Sequence, residues 1–128
     1  MNIRIRKYNS EKDYPALIKL IKSEGEEWQD YLKPVYILAM DNSISYVATA
    51  DDTLCGYSRS VYDSGLFIWV IDLLVHKNFR GHAIGKQLMD CILKDFPKCD
   101  VYVMSDVDGY YHKLGYDKEG SIFKVKGN

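Results

Sequence analysis

Apolar and polar residues alternate with period two over Ile3-Arg4-Ile5-Arg6-Lys7-Tyr8, which predicts a strand with one buried face. Asn9-Ser10-Glu11 follows with helix-start chemistry, Ser10 being able to cap the free N–H groups of a first turn. Leu17, Ile18, Leu20 and Ile21 then recur at helical spacing, and Gly25 is a natural stop. A second helix is expected from about Glu27 to Met40, interrupted or started by Pro34. From Ile44 the pattern becomes a meander: Ile44–Ala50, Leu54–Val61 and Leu66–Val75, joined through Asp51-Asp52 and Asp63-Ser64-Gly65. The third of these runs is apolar on both faces and interrupted only by Asp72, so it should be central.

Past Arg80-Gly81 the period returns to that of a helix. Ile84, Leu88, Cys91, Ile92 and Phe96 form one stripe, ended by Pro97. Asp100–Met104 reads as a short buried strand, Tyr110–Leu114 as a short helix stopped by Gly115, and Ser121–Lys126 as a closing strand. The order implies an α/β layered fold around a mixed sheet, with residues 1–128 forming a single domain.

Composition removes several function classes. With 17 basic and 18 acidic residues the formal net charge is −1, and the positive residues are scattered, so no basic face invites a nucleic acid. The charged, alternating N-terminus is unlike a secretory leader. No apolar run approaches the ~20 residues of a membrane span. Cys55, Cys91 and Cys99 are odd in number and lack the spacing of metal ligands or a disulfide framework. No metal is expected, and a cytoplasmic location is.

The candidate chemistry lies where a long buried strand enters a short loop and a strong helix leaves it. The first N–H groups of a helix lack internal partners and sit at the positive end of its dipole. Gly81 and Gly85 let the backbone approach a ligand closely, so a pyrophosphate could rest there, with Arg80, His82 and Lys86 adding donors. Neither the dinucleotide fingerprint nor a Walker G-K-[ST] is present.

Arg80-Gly81-His82-Ala83-Ile84-Gly85 resembles the Q/R-x-x-G-x-G/A loop of the GCN5-related N-acetyltransferase (GNAT) family, with Ala83 in place of one glycine. Leu73-Leu74-Val75 is similar to the strand end that precedes that loop. Tyr110-Tyr111-His112-Lys113-Leu114-Gly115-Tyr116 resembles the family's second motif, F/Y-Y-x-K-x-G-F/Y, about 26 residues further on. Either motif alone is weak; together, separated by a helix and a strand, they are specific.

The resemblance implies a mostly antiparallel central sheet flanked by helices, and acetyl-CoA-dependent transfer of an acetyl group to a primary amine by direct attack in a ternary complex. It assigns acetyl-CoA binding to Leu73, Leu74, Val75, Arg80, Gly81, His82, Ala83, Ile84, Gly85 and Lys86. Backbone N–H groups around Leu73–Val75 would polarise the thioester, and Tyr111 would protonate the departing thiolate as general acid. Tyr110 and Tyr116 read as core. The family commonly places an Asn after the strand at Asp100–Met104, and this chain offers Ser105 or Asp106 instead.

Asp72 is a carboxylate in an apolar strand, open to three roles: base, substrate ligand, or structural acceptor. Strict alternation puts it on the face of Val70 and Leu74, opposite Trp69, Ile71 and Leu73; a bulge would reverse that assignment. In the family the segment between the first two helices borders the acceptor. Here Glu24–Tyr31 places Trp28 and Tyr31 among acidic residues, either as a cation site or as packing staples. A small amine is the favoured acceptor. A peptide or protein acceptor and a non-catalytic acyl-CoA sensor are the alternatives, and the resemblance also allows a homodimer.

Overall fold

The five strands of the computed structural model, which describes residues 1–127, lie in chain order across one sheet. They are β1 (Ile3–Lys7), β2 (Ile44–Ala50), β3 (Thr53–Tyr62), β4 (Phe67–Val75) and β5 (Asp100–Val103). The first four are antiparallel to their neighbours, and β5 joins β4 in parallel, from Phe67↔Asp100 to Val70↔Val103. The sheet is therefore mixed and mostly antiparallel, as expected.

The helices are α1 (Ser10–Glu24), α2 (Val35–Asp41), α3 (Ile84–Asp95) and α4 (Asp108–Lys113). The Asn9 side chain, not Ser10, caps α1 by accepting from the Lys12 N–H at 3.1 Å. Gly25 ends α1 with φ +103°, a conformation that favours glycine. The expected second helix is divided: Glu26–Leu32 is 3-10, and only after Pro34 does α2 begin.

Two cores lie on opposite faces of the sheet. Leu17, Leu20, Ile21, Tyr36 and Met40 of α1 and α2 cover Val47, Tyr57 and Leu74. Ile84, Leu88, Met89 and Ile92 of α3 cover Tyr46, Ala48, Cys55, Ile68 and Val70. The stripe that predicted α3 is this second face.

Three expectations about the sheet need correction. β4 is not central but next to the edge, because the meander runs outward from β1. β5 is half-buried rather than buried, since its outer side has no strand. No closing strand forms at Ser121–Lys126: Ile122, Phe123 and Val125 are exposed, and residues 117–127 have no regular structure. An alternating run needs an edge to pair with, and periodicity alone does not supply one.

Candidate active site

β4 runs on past its last partner in β5. After Val70↔Val103 the Met104 N–H still reaches the Val70 carbonyl at 2.9 Å, and there the contact ends. Asp72 to Val75 remain paired to β3 only, so this stretch presents an open backbone edge on its other side. Its side chains divide between the two cores: Leu74 is buried under α1 and α2, whereas Leu73 and Val75 pack towards α3. The backbone of Leu73–Val75 has no strand partner on the side away from β3.

The open stretch begins at a bulge. The β3–β4 register shifts between Arg59↔Asp72 and Ser60↔Val70, leaving Ile71 as the extra residue. This moves Asp72 to the α1/α2 side with Leu74 and away from Val70, so the face expected from strict alternation is corrected for Val70. Asp72 is buried there, and its Oδ2 accepts from Arg59 Nε at 2.6 Å and from the Tyr36 hydroxyl at 2.6 Å. Tyr36 and Tyr57 share a further hydrogen bond of 2.8 Å. Burial, reinforced by the Asp72 charge, pushes the Tyr36 phenol far above its ordinary range.

From β4 the chain makes a short 3-10 turn, Lys77–Phe79, and enters the glycine loop. Gly81 has φ +87°, and Ala83 is left-handed at φ 58°, ψ 26°. Ala83 immediately precedes α3, whose first N–H groups have no side-chain cap. A helix end of twelve residues therefore stands open to an anion, its dipole intact.

Two basic side chains of the loop are engaged elsewhere: Arg80 Nη2 binds Glu24 and Lys86 binds Asp90 at 2.6 Å. The His82 side chain is exposed, and its carbonyl accepts from Gln87. Donation to a phosphate can come from the backbone and from His82.

α4 forms the opposite wall. A Cβ added at Gly85 would collide with the Tyr110 hydroxyl, which leaves that ring lying across the start of α3, close to Leu73. Tyr110 is 39% exposed, so it is a wall of the cleft and not core; Tyr116 is partly buried, as expected. Tyr111 packs beside it at 5.1 Å between ring centroids and stacks on Tyr116 at 6.2 Å. Burial first, then the neighbouring Tyr110, Asp106 and Tyr116, push its phenol up to about 12, so it keeps its proton. Ser105 is used locally, donating to Asp108 at 2.9 Å and accepting from the Val107 N–H.

The structure thus brings Tyr110 to Gly85 near Leu73, with Tyr111 packed on Tyr110. Asp72, Trp28 and Tyr31 lie on the α1/α2 side of the sheet. Trp28 and Tyr31 pack together at 4.9 Å, and against Tyr57 and Tyr36. The Tyr31 phenol is raised by burial first and then by the Asp72 charge.

A model of the acetyltransferase (GNAT) domain matches residues 41–118. The chain belongs to the GNAT acetyltransferase family. An uncharacterized N-acetyltransferase, ycf52, of Porphyra purpurea is 29% identical over 97 residues, 69% of this chain and 56% of the relative. The chain spans about half the length of the first curated relatives it matches.

Among solved structures, a GNAT-family acetyltransferase of Streptococcus pneumoniae superposes with TM-score 0.77 at 23% identity, covering 98% of this chain and 100% of that one. PaiA N-acetyltransferase of Thermoplasma acidophilum, solved in complex with coenzyme A, gives 0.68 at 22%, covering 94% and 95%. These likenesses establish the GNAT fold.

Sequence reasoning missed Tyr36, Tyr57 and Arg59 around Asp72, Glu24 beside Arg80, and Tyr110 against Gly85. Each of these partnerships is set by the approach of distant elements, and no local spacing announces it. The one usable signal was Asp72 itself, since a carboxylate in an apolar strand demands a donor.

Proposed function

We propose that the chain is an N-acetyltransferase that moves an acetyl group from acetyl-CoA to a primary amine on a small molecule, by direct attack in a ternary complex. The observation that carries this reading is the open edge of β4 from Asp72 to Val75. It leads, through the turn at Lys77–Phe79, to the uncapped start of α3.

The residues fit the donor. Backbone N–H groups from Gly81 to Lys86 hold the pyrophosphate, and the left-handed Ala83 aims them. N–H groups of Leu73–Val75 hold the thioester carbonyl and stabilise charge on its oxygen. Tyr111 donates its phenolic proton to the departing sulfur; burial keeps that phenol protonated at neutral pH.

Trp28 and Tyr31 border the acceptor and favour a cation with an apolar body. Asp72 orders that wall through Tyr36 and Arg59. Its Oδ2 accepts two hydrogen bonds in that structural role, and the ammonium proton is taken up by water.

No helix among the described residues is long and apolar enough to cross a membrane. The three cysteines are free, which suits a cytoplasmic setting, and we take residues 1–128 as one domain. A thiol-release assay with acetyl-CoA across a panel of amines and peptides tests the proposal. Release that depends on a small amine is expected. Release with peptides alone would reassign the acceptor, and acetyl-CoA binding without release for any acceptor would favour a sensor.

A further inference from the structure

Arg80 opens the glycine loop, yet its guanidinium turns away from it. Nη2 donates to both carboxylate oxygens of Glu24, at 2.8 and 2.7 Å, and Nε donates to the Val75 carbonyl at 3.0 Å. One planar cation thus bridges the last residue of α1 and the last residue of β4, and its several donors fix orientation as well as distance.

The bridge sits between two pivots. Gly25 follows Glu24 with φ +103°, and Gly81 follows Arg80 with φ +87°. From Gly25 the chain enters the 3-10 segment that carries Trp28 and Tyr31; from Gly81 it enters the loop that opens α3. The segment on the acceptor side and the loop on the donor side therefore leave the same ion pair through one glycine each. Arg80 is 52% and Glu24 22% exposed, and so open a pair contributes little to global stability. What it can set is the relative placement of the two segments it joins.

We propose that Glu24 and Arg80 are positioning residues that hold the donor loop and the Trp28–Tyr31 segment in register, with Arg80 acting through this clasp rather than on phosphate. The proposal rests on the reading of the loop as the acetyl-CoA site, but its first test does not. Hydrogen exchange on the free full-length protein should show faster exchange in Glu24→Ala at residues 26–32 and 81–85 together. Unchanged exchange, or a change in only one segment, overturns the clasp. Glu24→Gln, close to isosteric, gives the same reading if Glu24→Ala does not fold.

The second test is a double-mutant cycle read by acetyl-CoA titration. Glu24→Ala and Arg80→Ala should each weaken binding about three-fold, and the double variant no more than either alone. If Glu24→Ala leaves binding unchanged or tighter while Arg80→Ala weakens it, Arg80 contacts phosphate directly and the proposal falls. Absence of binding by the wild type would instead refute the donor-site reading, and the exchange result would still decide the clasp.

Discussion

Asp72 and Arg59 face each other across the β3–β4 ladder, Oδ2 to Nε at 2.6 Å, with side chains only 1% and 14% exposed. The pair sits at the bulge, where the sheet would otherwise place an apolar side chain in the α1/α2 core. Tyr36 adds a hydrogen bond to the same oxygen, and the Arg59 guanidinium lies 5.4 Å from the centre of the Tyr36 ring. A buried carboxylate with these partners is a structural joint between β3, β4 and α2.

Asp72→Asn should therefore act mainly on stability. Removing one partner leaves the Arg59 charge buried and unpaired, a loss of about 3 kcal/mol in urea unfolding. A stability near wild type, together with a lost acid limb in the rate profile, would make Asp72 the base instead.

Tyr111→Phe removes the proposed acid without changing the shape of the wall. Thiol release should fall by about 10²-fold or more, while acetyl-CoA affinity stays within about twofold. Unchanged turnover would take Tyr111 out of the mechanism.

Ala83 holds a left-handed backbone that costs an ordinary residue about 1–2 kcal/mol. Glycine removes that strain but makes the unfolded chain freer by about 0.4–1 kcal/mol. Ala83→Gly should then raise stability by about 0.5–1 kcal/mol in denaturant titrations. Gly81→Ala, at φ +87°, should lower it by about 1 kcal/mol or more.

Asp13 is buried at the start of α1, accepting from Arg6 at 2.7 Å twice and from the Asn9 N–H at 2.8 Å. Burial works against its charge, but these hydrogen bonds prevail and hold its carboxyl below the usual value. The native state thus binds fewer protons than the unfolded one. The contribution is complete above the unfolded pKa and is lost as pH falls through the lower native pKa. Melting temperature should drop as pH falls below the ordinary carboxylate range, and Asp13→Asn should be less stable at neutral pH with a flatter acid dependence.

Residues 121–127 contribute no core: Phe123 is 86% and Val125 93% exposed. Ending the chain at Gly120 should shift the melting temperature by less than about 2 °C. A loss of many degrees would show that Ser121–Lys126 does form the closing strand read from its alternation.

The meander, the α3 stripe and the stops at Gly25 and Gly115 were legible because periodicity and turn chemistry act over a few neighbouring residues. The same holds for the loop at Gly81–Gly85, whose position between strand and helix is itself a local property. The face of Asp72 was not legible, because a one-residue bulge against β3 inverts every side chain beyond it. Tyr110 was read as core since a motif specifies residue types but not which ring lies against Gly85.

From the sequence alone came the order of elements, the family resemblance and the place where an anion could rest. Tertiary structure decided where β5 releases β4, which face Asp72 joins, and that Arg80 closes on Glu24, 56 residues away. Hydrophobic period and glycine placement are written in adjacent residues, whereas strand register and ion-pair choice are settled only when distant segments compete for the same surface.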